Sequence, residues 1–368
     1  MTIEALALVH FKAFQTLDLP LGALTILSGL NGSGKSSVVQ AIGLLRQSYD
    51  SGALANGELA LNGELVEIGT GKDVLHQYFA EQMIRVSLRE AGGAEWHWPS
   101  NVDTGSDVLE IPGAPEVVSV EHLALFRPGF QFLRADRITP AVTFPRSQQS
   151  IAIDRSLGPR GEYTAHFLLK YGPEMIVPES LRHPQESGPS LNSQVNAWME
   201  EFSPGVQVSA FGVPMTDMVR LEYRYREAKS SFGDSLRPTN VGFGLTHSLP
   251  IVTACLAAQP GDLLIIENPE AQLHPRGQVA LGRLLALTAA HGAQIIAETH
   301  SDHVLNGIRI AVKQGALAPQ DARLHFFARE AGGSAFFVTP ELNNEGRLSF
   351  WPEGFFDQWE RSLDDLLA

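Results

Sequence analysis

The chain has 368 residues, enough for one large or two ordinary domains, and its 44% hydrophobic and 18% charged content is that of a globular protein. A net charge of −14 excludes a protein whose whole surface grips nucleic acid, so any such contact is confined to a local basic patch. The one cysteine, Cys255, lies in an apolar run, which excludes a disulfide framework and a cysteine zinc site and leads us to expect a reducing, cytoplasmic setting.

Met1 to Leu8 lacks the basic-then-apolar layout of a signal peptide, and no stretch has the length needed to cross a bilayer, so no membrane role is expected. Ile3 to His10 alternates weakly and reads as a strand. Phe11 to Phe14 reads as a turn, and Thr16 to Leu21 leads into the apolar strand Leu24 to Ser28. Gly29-Leu30-Asn31-Gly32-Ser33-Gly34-Lys35-Ser36 follows, a complete phosphate-binding loop, and Ser36 to Arg46 reads as a helix. Glycines let the backbone curl so that N–H groups point at phosphate oxygens, and the helix dipole adds to this. Asn31, Gly32, Ser33 and Gly34 form the cradle, Lys35 reaches the β- and γ-phosphates, Ser36 ligands Mg²⁺, and Ser37 stands beside it.

Residues 50–120 carry glycines and short β-type runs, Gln82 to Leu88 and Glu116 to Leu123, which predict an antiparallel sheet. Residues 140–215 are rich in Pro, Gly and Ser, with helical patches at Glu162 to Lys170 and Leu191 to Phe202. They read as a helical insert with loops. Arg127, Arg134, Arg137, Arg146, Arg155 and Arg160 form one candidate basic patch. Arg220, Arg224, Arg226 and Lys229, spaced as on one face of a strand, form another. Solvated faces or ion pairs are the favoured reading of both. No sustained heptad pattern predicts a long coiled coil. From Thr239 the pattern is regular: a helix from Leu245 to Ala258, a strand Leu263 to Ile266, a helix Arg276 to Ala290, and a strand Gln294 to Ala297. Alternating strands and helices imply a parallel sheet. The expected domains are 1–140, 141–235 and 236–368.

Three further stretches carry chemistry. The strand from Leu263 ends in Glu267-Asn268-Pro269-Glu270, and a carboxylate at the end of a buried strand is what a Mg²⁺–nucleotide site requires. The strand from Gln294 ends at Glu298-Thr299-His300-Ser301, where His300 is either a structural histidine or one that senses a γ-phosphate by hydrogen bonding. Asn240 to His247 precedes a helix, and its Gly242, Gly244 and Thr246 form either an anion site or an ordinary N-cap.

The order of these parts resembles the ABC-type ATPases of the SMC, RecF and OLD group. Phe11-Lys12-Ala13-Phe14 resembles their opening motif, which brings in Lys12 and Phe14 as nucleotide contacts. Gly29 to Ser36 resembles their Walker A, and Glu267 to Pro275 the extended Walker B of the OLD-like branch. His300 falls at the switch histidine. Trp351 to Asp357 resembles the C-terminal motif of short bacterial ATPases of this branch, often linked to defence gene clusters. The resemblance covers both ends of the chain, and residues of about 80 to 235 carry little of it.

The resemblance implies an α/β fold, an ABC-type P-loop NTPase head. That head has a mostly parallel core sheet with flanking helices, an antiparallel β subdomain, a helical lobe and no long coiled coil. It implies ATP and Mg²⁺ as cofactors, an ATP-dependent homodimer in which one subunit's signature closes on the other's nucleotide, and a separate protein effector, with antiviral defence as a setting. A RecF-type DNA-repair head and a nucleotide-gated scaffold with negligible turnover are the alternatives. Two departures stand out. The family's Walker B ends in Asp-Glu, the first acid holding Mg²⁺ and the second polarising water. Here Glu267 takes the first place and the amide Asn268 the second. An amide orients water but does not accept its proton, so Glu270 is the substitute base or hydrolysis is slow. The signature, Gly242-Phe243-Gly244-Leu245-Thr246, is loose, and Gly69 to Asp73 is the place to look for a Q-loop. The 68 residues after His300 are too few for the nuclease domain of OLD proteins, so the ATPase alone is expected.

Overall fold

Alternating burial along Ile3–Phe11 makes a strand with one face inward, β1, which lies second from the edge of an antiparallel sheet. The structure, a computed structural model, describes residues 2–76, 82–228, 231–330, 335–352 and 366–367. Its contacts group into two compact units. The first is Met1–Arg127 with Pro319–Asn343 and Arg347–Ala368, and the second is Pro128–Ala318 with Asn344–Gly346.

In the first unit, β1 pairs with β2 (Phe14–Pro20) and β5 (Met83–Glu90). The sheet continues through β6 (Glu95–Asn101) and β7 (Val108–Glu110) to β4 (Glu58–Ala60). This is the antiparallel region expected from residues 50–120. A buried strand, β3 (Leu24–Gly29), runs parallel to β15 (Ala322–Arg329), which β16 (Ala335–Val338) pairs antiparallel. Helix α1 (Lys35–Asp50) follows β3, and α2 (Gly71–Val74) is a single turn. Glu116 to Leu123 departs from expectation, because it holds a helical turn, α3 (Val117–Val120), not a strand. The β-branched run favours a strand. However, both the N–H and the hydroxyl of Ser119 bond back to the Glu116 carbonyl, which closes a turn instead.

In the second unit, β8 (Gln131–Leu133), β13 (Leu263–Glu267) and β14 (Gln294–Glu298) are parallel, and their apolar residues are buried on both faces. Helices α6 (Phe243–Ala257), α7 (Pro275–Ala290) and α8 (Asp302–Lys313) alternate with them. α4 (Thr164–Tyr171) and α5 (Leu191–Phe202) lie where helices are expected. The same insert also carries a sheet, β10 (Val206–Gly212), β11 (Met218–Ala228) and β12 (Ser231–Phe232), with β9 (Phe144–Pro145) against β11. The longest described helices have 16 residues, so no long coiled coil occurs among the described residues.

Ion pairs occupy much of both arginine clusters. Arg134 and Arg160 each lie 2.7 Å from Asp136, and Arg155 lies 2.7 Å from Asp262. Arg220 and Arg224 share Glu222, and Arg226 meets Glu200 at 2.9 Å. Lys229 lies outside the described residues.

His325 on β15 is 1% exposed. Its Nε2 donates to the Pro20 carbonyl at 2.7 Å, and its Nδ1 accepts from the Thr339 hydroxyl at 2.8 Å. Burial pushes its pKa from 6.5 down to about 4, against the opposing bond to Pro20. The unfolded chain therefore takes up this proton near pH 6.5, while the native chain resists until about 4. Stability should be full above the upper value and fall as the pH drops towards the lower, by on the order of 3 kcal/mol. Thermal melts across that range should show this loss, and His325→Gln should flatten it.

Candidate functional site

The phosphate loop is built where β3 runs out. Gly29, at φ 134, passes so close to β15 that a Cβ would sit 2.1 Å from the Phe327 carbonyl oxygen. Gly34, at φ 108, is the N-cap of α1 and lies on the Phe14 ring, 2.5 Å from where a Cβ would be. Both positions exclude a side chain by conformation and by space. Phe14 is buried and packs edge-on against Phe327, so it forms the floor of the loop.

Lys35 is 3% exposed, and its ammonium donates to the carbonyls of Gly29 and Leu30, each at 2.9 Å. α5 and α8 have serine caps on their first turns, whereas α1 has no side-chain cap and no acid in its first turn. A cation held at the uncapped positive end of a 16-residue helix has the chemistry that suits an anion such as phosphate.

A cavity of about 430 Å³ opens above the loop, lined by Gly32, Gly34, Lys35, Ser36 and Ser37 together with Lys12, Asp73 and Arg329. Ser36 is exposed to it, Ser37 and Ser33 are buried, and Asn31 is exposed on the loop tip. Lys12 stands at φ 48; burial lowers its pKa, and Asp73 opposes that shift. Thr70, through its N–H and hydroxyl, holds the Asp73 carboxyl below its usual range. The first unit thus brings Gly32, Gly34, Lys35 and Ser36 of the loop, Lys12, and Asp73 of the Gly69-to-Asp73 stretch to one cavity. Arg329, at the end of β15, joins them and carries no motif that sequence reasoning could use.

The second unit holds the acidic turn. Glu267 ends β13 in register with Glu298 of β14. Its carboxylate accepts the Ala135 N–H at 2.8 Å. Burial raises its pKa, opposed by that bond and by Arg134 and Arg137. Asn268, at φ 43, donates its N–H to the Glu298 carbonyl at 2.8 Å. Glu270 accepts from the Thr299 hydroxyl at 2.6 Å and the His300 N–H at 2.8 Å, so it joins the two strand ends, while the His300 ring is exposed.

Arg137, which the sequence places only in a basic patch, donates to the carbonyls of Glu267 and Asn268, each at 2.7 Å. Burial lowers its pKa to about 10, against Glu270 and Glu267, so it stays charged at neutral pH. The signal that could have found it is Arg134-Ala135-Asp136-Arg137 directly after an apolar strand.

The signature residues divide. Gly242 is exposed, and a Cβ there meets no atom within 4 Å. Gly244 touches the acidic turn, where a Cβ would lie 2.3 Å from the Gln272 carbonyl oxygen. Thr246 is 2% exposed, inside α6. Burial lowers the pKa of His247, one position on, to about 4, and Arg137 adds to this.

No three His, Cys, Asp or Glu side chains among the described residues cluster as a metal cage. Mg²⁺ in nucleotide sites takes most of its oxygens from phosphate and water, so the absence of such a cage among these residues does not bear on it.

The fold is that of an SMC head, and Gly29 to Ser36 occupy the strand–loop–helix of a P-loop. Residues 127–306 match the family described as "AAA domain, putative AbiEii toxin, Type IV TA system", and residues 317–366 match "Protein of unknown function (DUF3696)". The chain is similar in fold to an Smc head bound to the C-terminal winged-helix domain of ScpA, with 14% identity and a TM-score of 0.57 over 93% of this chain and 99% of that one. It is also similar to the Smc head with an extended coiled coil bound to the C-terminal domain of ScpA from Pyrococcus furiosus, with 13% identity and a TM-score of 0.57 over the whole of both chains. No curated protein matches the chain.

Lys35→Ala removes the ammonium from the loop. Two charge-assisted bonds to phosphate should be lost, weakening nucleoside triphosphate binding about 10- to 100-fold in a protein that still folds. Titration calorimetry beside circular dichroism checks this, and wild-type affinity in the folded variant would overturn the loop assignment.

Proposed function

We propose that this chain binds ATP with Mg²⁺, hydrolyses it slowly, and as an ATP-bound homodimer switches a separate protein effector in antiviral defence. The observation that carries the reading is the uncapped α1 with Lys35 buried beneath the cavity. The resemblance to SMC-type heads supports the dimer, and the ScpA domains bound to the two Smc heads support a protein partner. The match to a family named for a putative AbiEii toxin supports the defence setting. Among the described residues no helix is long and apolar enough to cross a membrane, which is compatible with a cytoplasmic location.

In this reading Ser36 and Glu267 serve Mg²⁺, which supplies charge neutralisation at the phosphates. Asn268 and His300 orient the attacking water, His300 senses the γ-phosphate, and Glu270 takes the proton. Gly242, Gly244 and Thr246 belong to the signature that closes on the partner subunit's nucleotide, with Gly242 and Phe243 its exposed part. Turnover is slow because the place of the second Walker B acid is held by an amide, and because Glu270 already accepts two hydrogen bonds. The same two facts favour the second reading, a nucleotide-gated scaffold. The DNA-repair reading is weakened by the ion pairs that occupy the arginine clusters.

Steady-state ATPase rates beside binding titrations separate the carboxylates. Glu267→Gln should weaken Mg²⁺-dependent ATP binding. Glu270→Gln should spare binding and slow hydrolysis by about 10²–10⁴-fold, the usual cost of one general base. Normal turnover in Glu270→Gln would remove its assignment as base, and no wild-type turnover above that of Lys35→Ala would leave the scaffold.

The dimer has its own test. Gly242 has ordinary extended backbone, φ −57, and open space around it, so Gly242→Arg should fold normally and bind ATP as the wild type does. Light scattering should show ATP with Mg²⁺ doubling the mass of the wild type but not of this variant. Equal assembly in both would refute the composite site.

A further inference from the structure

Arg137 is 2% exposed, and among the described residues the bonds of its guanidinium go to the acidic turn or to its own loop. Nη1 donates to the carbonyls of Arg134 and Glu267, at 2.9 and 2.7 Å, and Nη2 donates to the Asn268 carbonyl at 2.7 Å. The same short segment supplies the Ala135 N–H to the Glu267 carboxylate. One loop thus fixes both the main chain and the side chain of the acid that ends β13.

The turn needs such a hold. Asn268 at φ 43 and Gln272 at φ 63 are left-handed, a conformation that persists only where the surroundings impose it. A guanidinium does this with two directed bonds from one rigid fork, which an ammonium does not reproduce. A role in packing alone would be met by an apolar side chain without burying a charge. The site is also not saturated: Arg137 Nε and Asn268 Oδ1 are buried without a hydrogen-bond partner among the described residues. The turn therefore keeps polar capacity beyond what its own fold uses.

We propose that Arg137 is a positioning residue for hydrolysis, its fork holding the Glu267–Asn268 main chain so that the carboxylates of Glu267 and Glu270 are aimed at the reacting nucleotide. The proposal rests on the ATPase reading above.

Arg137→Lys and Arg137→Gln in the full chain test it. Arg137→Lys keeps the charge in the buried site and loses the fork, so it carries the test if the glutamine variant does not fold. Without nucleotide, amide exchange followed by mass spectrometry should rise at least about tenfold in peptides covering Glu267 to Leu273. That segment includes the Asn268, Ala271 and Leu273 amides, which are bonded to Glu298, Asn268 and Glu270, and exchange elsewhere should be unchanged. In Arg137→Lys, ATP affinity and KM should stay at wild-type values while kcat falls about 10- to 100-fold, the cost of a small misplacement of reacting groups. Arg137→Gln should be slower still, with the lysine variant rescuing part of the loss.

Wild-type kcat in Arg137→Lys overturns the proposal, whatever the exchange shows. So does wild-type exchange across the turn. Loss of ATP affinity in step with kcat overturns it too, since that is what a merely structural role predicts. Wild-type hydrolysis no faster than that of Lys35→Ala would instead remove the ATPase reading, and this proposal with it.

Discussion

A strand buried on both faces has no place for a polar side chain until it ends, and that constraint organises both units. In β13 the residues Leu263 to Ile266 are fully buried, and the first polar residue is Glu267. β14 runs buried into Thr299 and His300, β8 into Arg134 to Arg137, and β3 into the phosphate loop. Lys35, Arg137, Glu267, Glu270 and His300 thus stand at or just beyond the carboxyl end of a parallel strand. Ligands of open α/β sheets bind at such ends. The strand interior contributes rigidity, and the strand end contributes chemistry.

Rigidity at these ends is expensive, because charges are drawn out of water. Glu267 is pushed towards its neutral form by burial, and Arg137 is pushed the same way down to about 10. Each offsets part of the other's desolvation, and main-chain groups do the rest: the Ala135 N–H for the acid, the carbonyls of Arg134, Glu267 and Asn268 for the arginine. Neither stands alone: Arg137 also faces Glu270, and Glu267 also faces Arg134, so the charges form a network. The phosphate loop follows the same rule with a different solution. Lys35 is satisfied by the Gly29 and Leu30 carbonyls, which hold it in place beneath the cavity.

What was legible in the sequence was whatever is encoded by neighbours in the chain. Gly29, Gly34 and Lys35 are recognisable because their spacing is local, and the structure places them in one loop with the close approaches that require glycine. Leu263 to Glu267 is recognisable because four apolar residues in a row can only be buried. Arg137 was hidden because its partners are 130 and 131 residues away, and only its place directly after an apolar strand sets it apart from a solvated arginine. β10 and β11 were hidden by the turn-rich composition around them, although the alternating charges of Arg220, Glu222, Arg224 and Arg226 already mark one face of a strand. Val117 to Val120 misled for the opposite reason: strong strand propensity was overridden by two hydrogen bonds to one carbonyl. The end of the Trp351-to-Asp357 motif, from residue 353, lies outside the described residues.

Asn268 joins backbone and chemistry. The resemblance makes it a departure, an amide where the family's second acid stands. Its φ of 43 supplies a physical reason for that departure. The left-handed region is disfavoured for side chains in general, and asparagine is among the few residues that enter it readily. A glutamate at this place would bear the strain of the conformation and would also bring a second carboxylate next to Glu267, whose charge is already disfavoured by burial. The amide therefore suits the turn and keeps the local charge low, and it leaves no proton acceptor at the position where the family has one. In the proposed reading, slow hydrolysis is a consequence of the turn's shape, and a long-lived nucleotide state suits a switch acting on a partner.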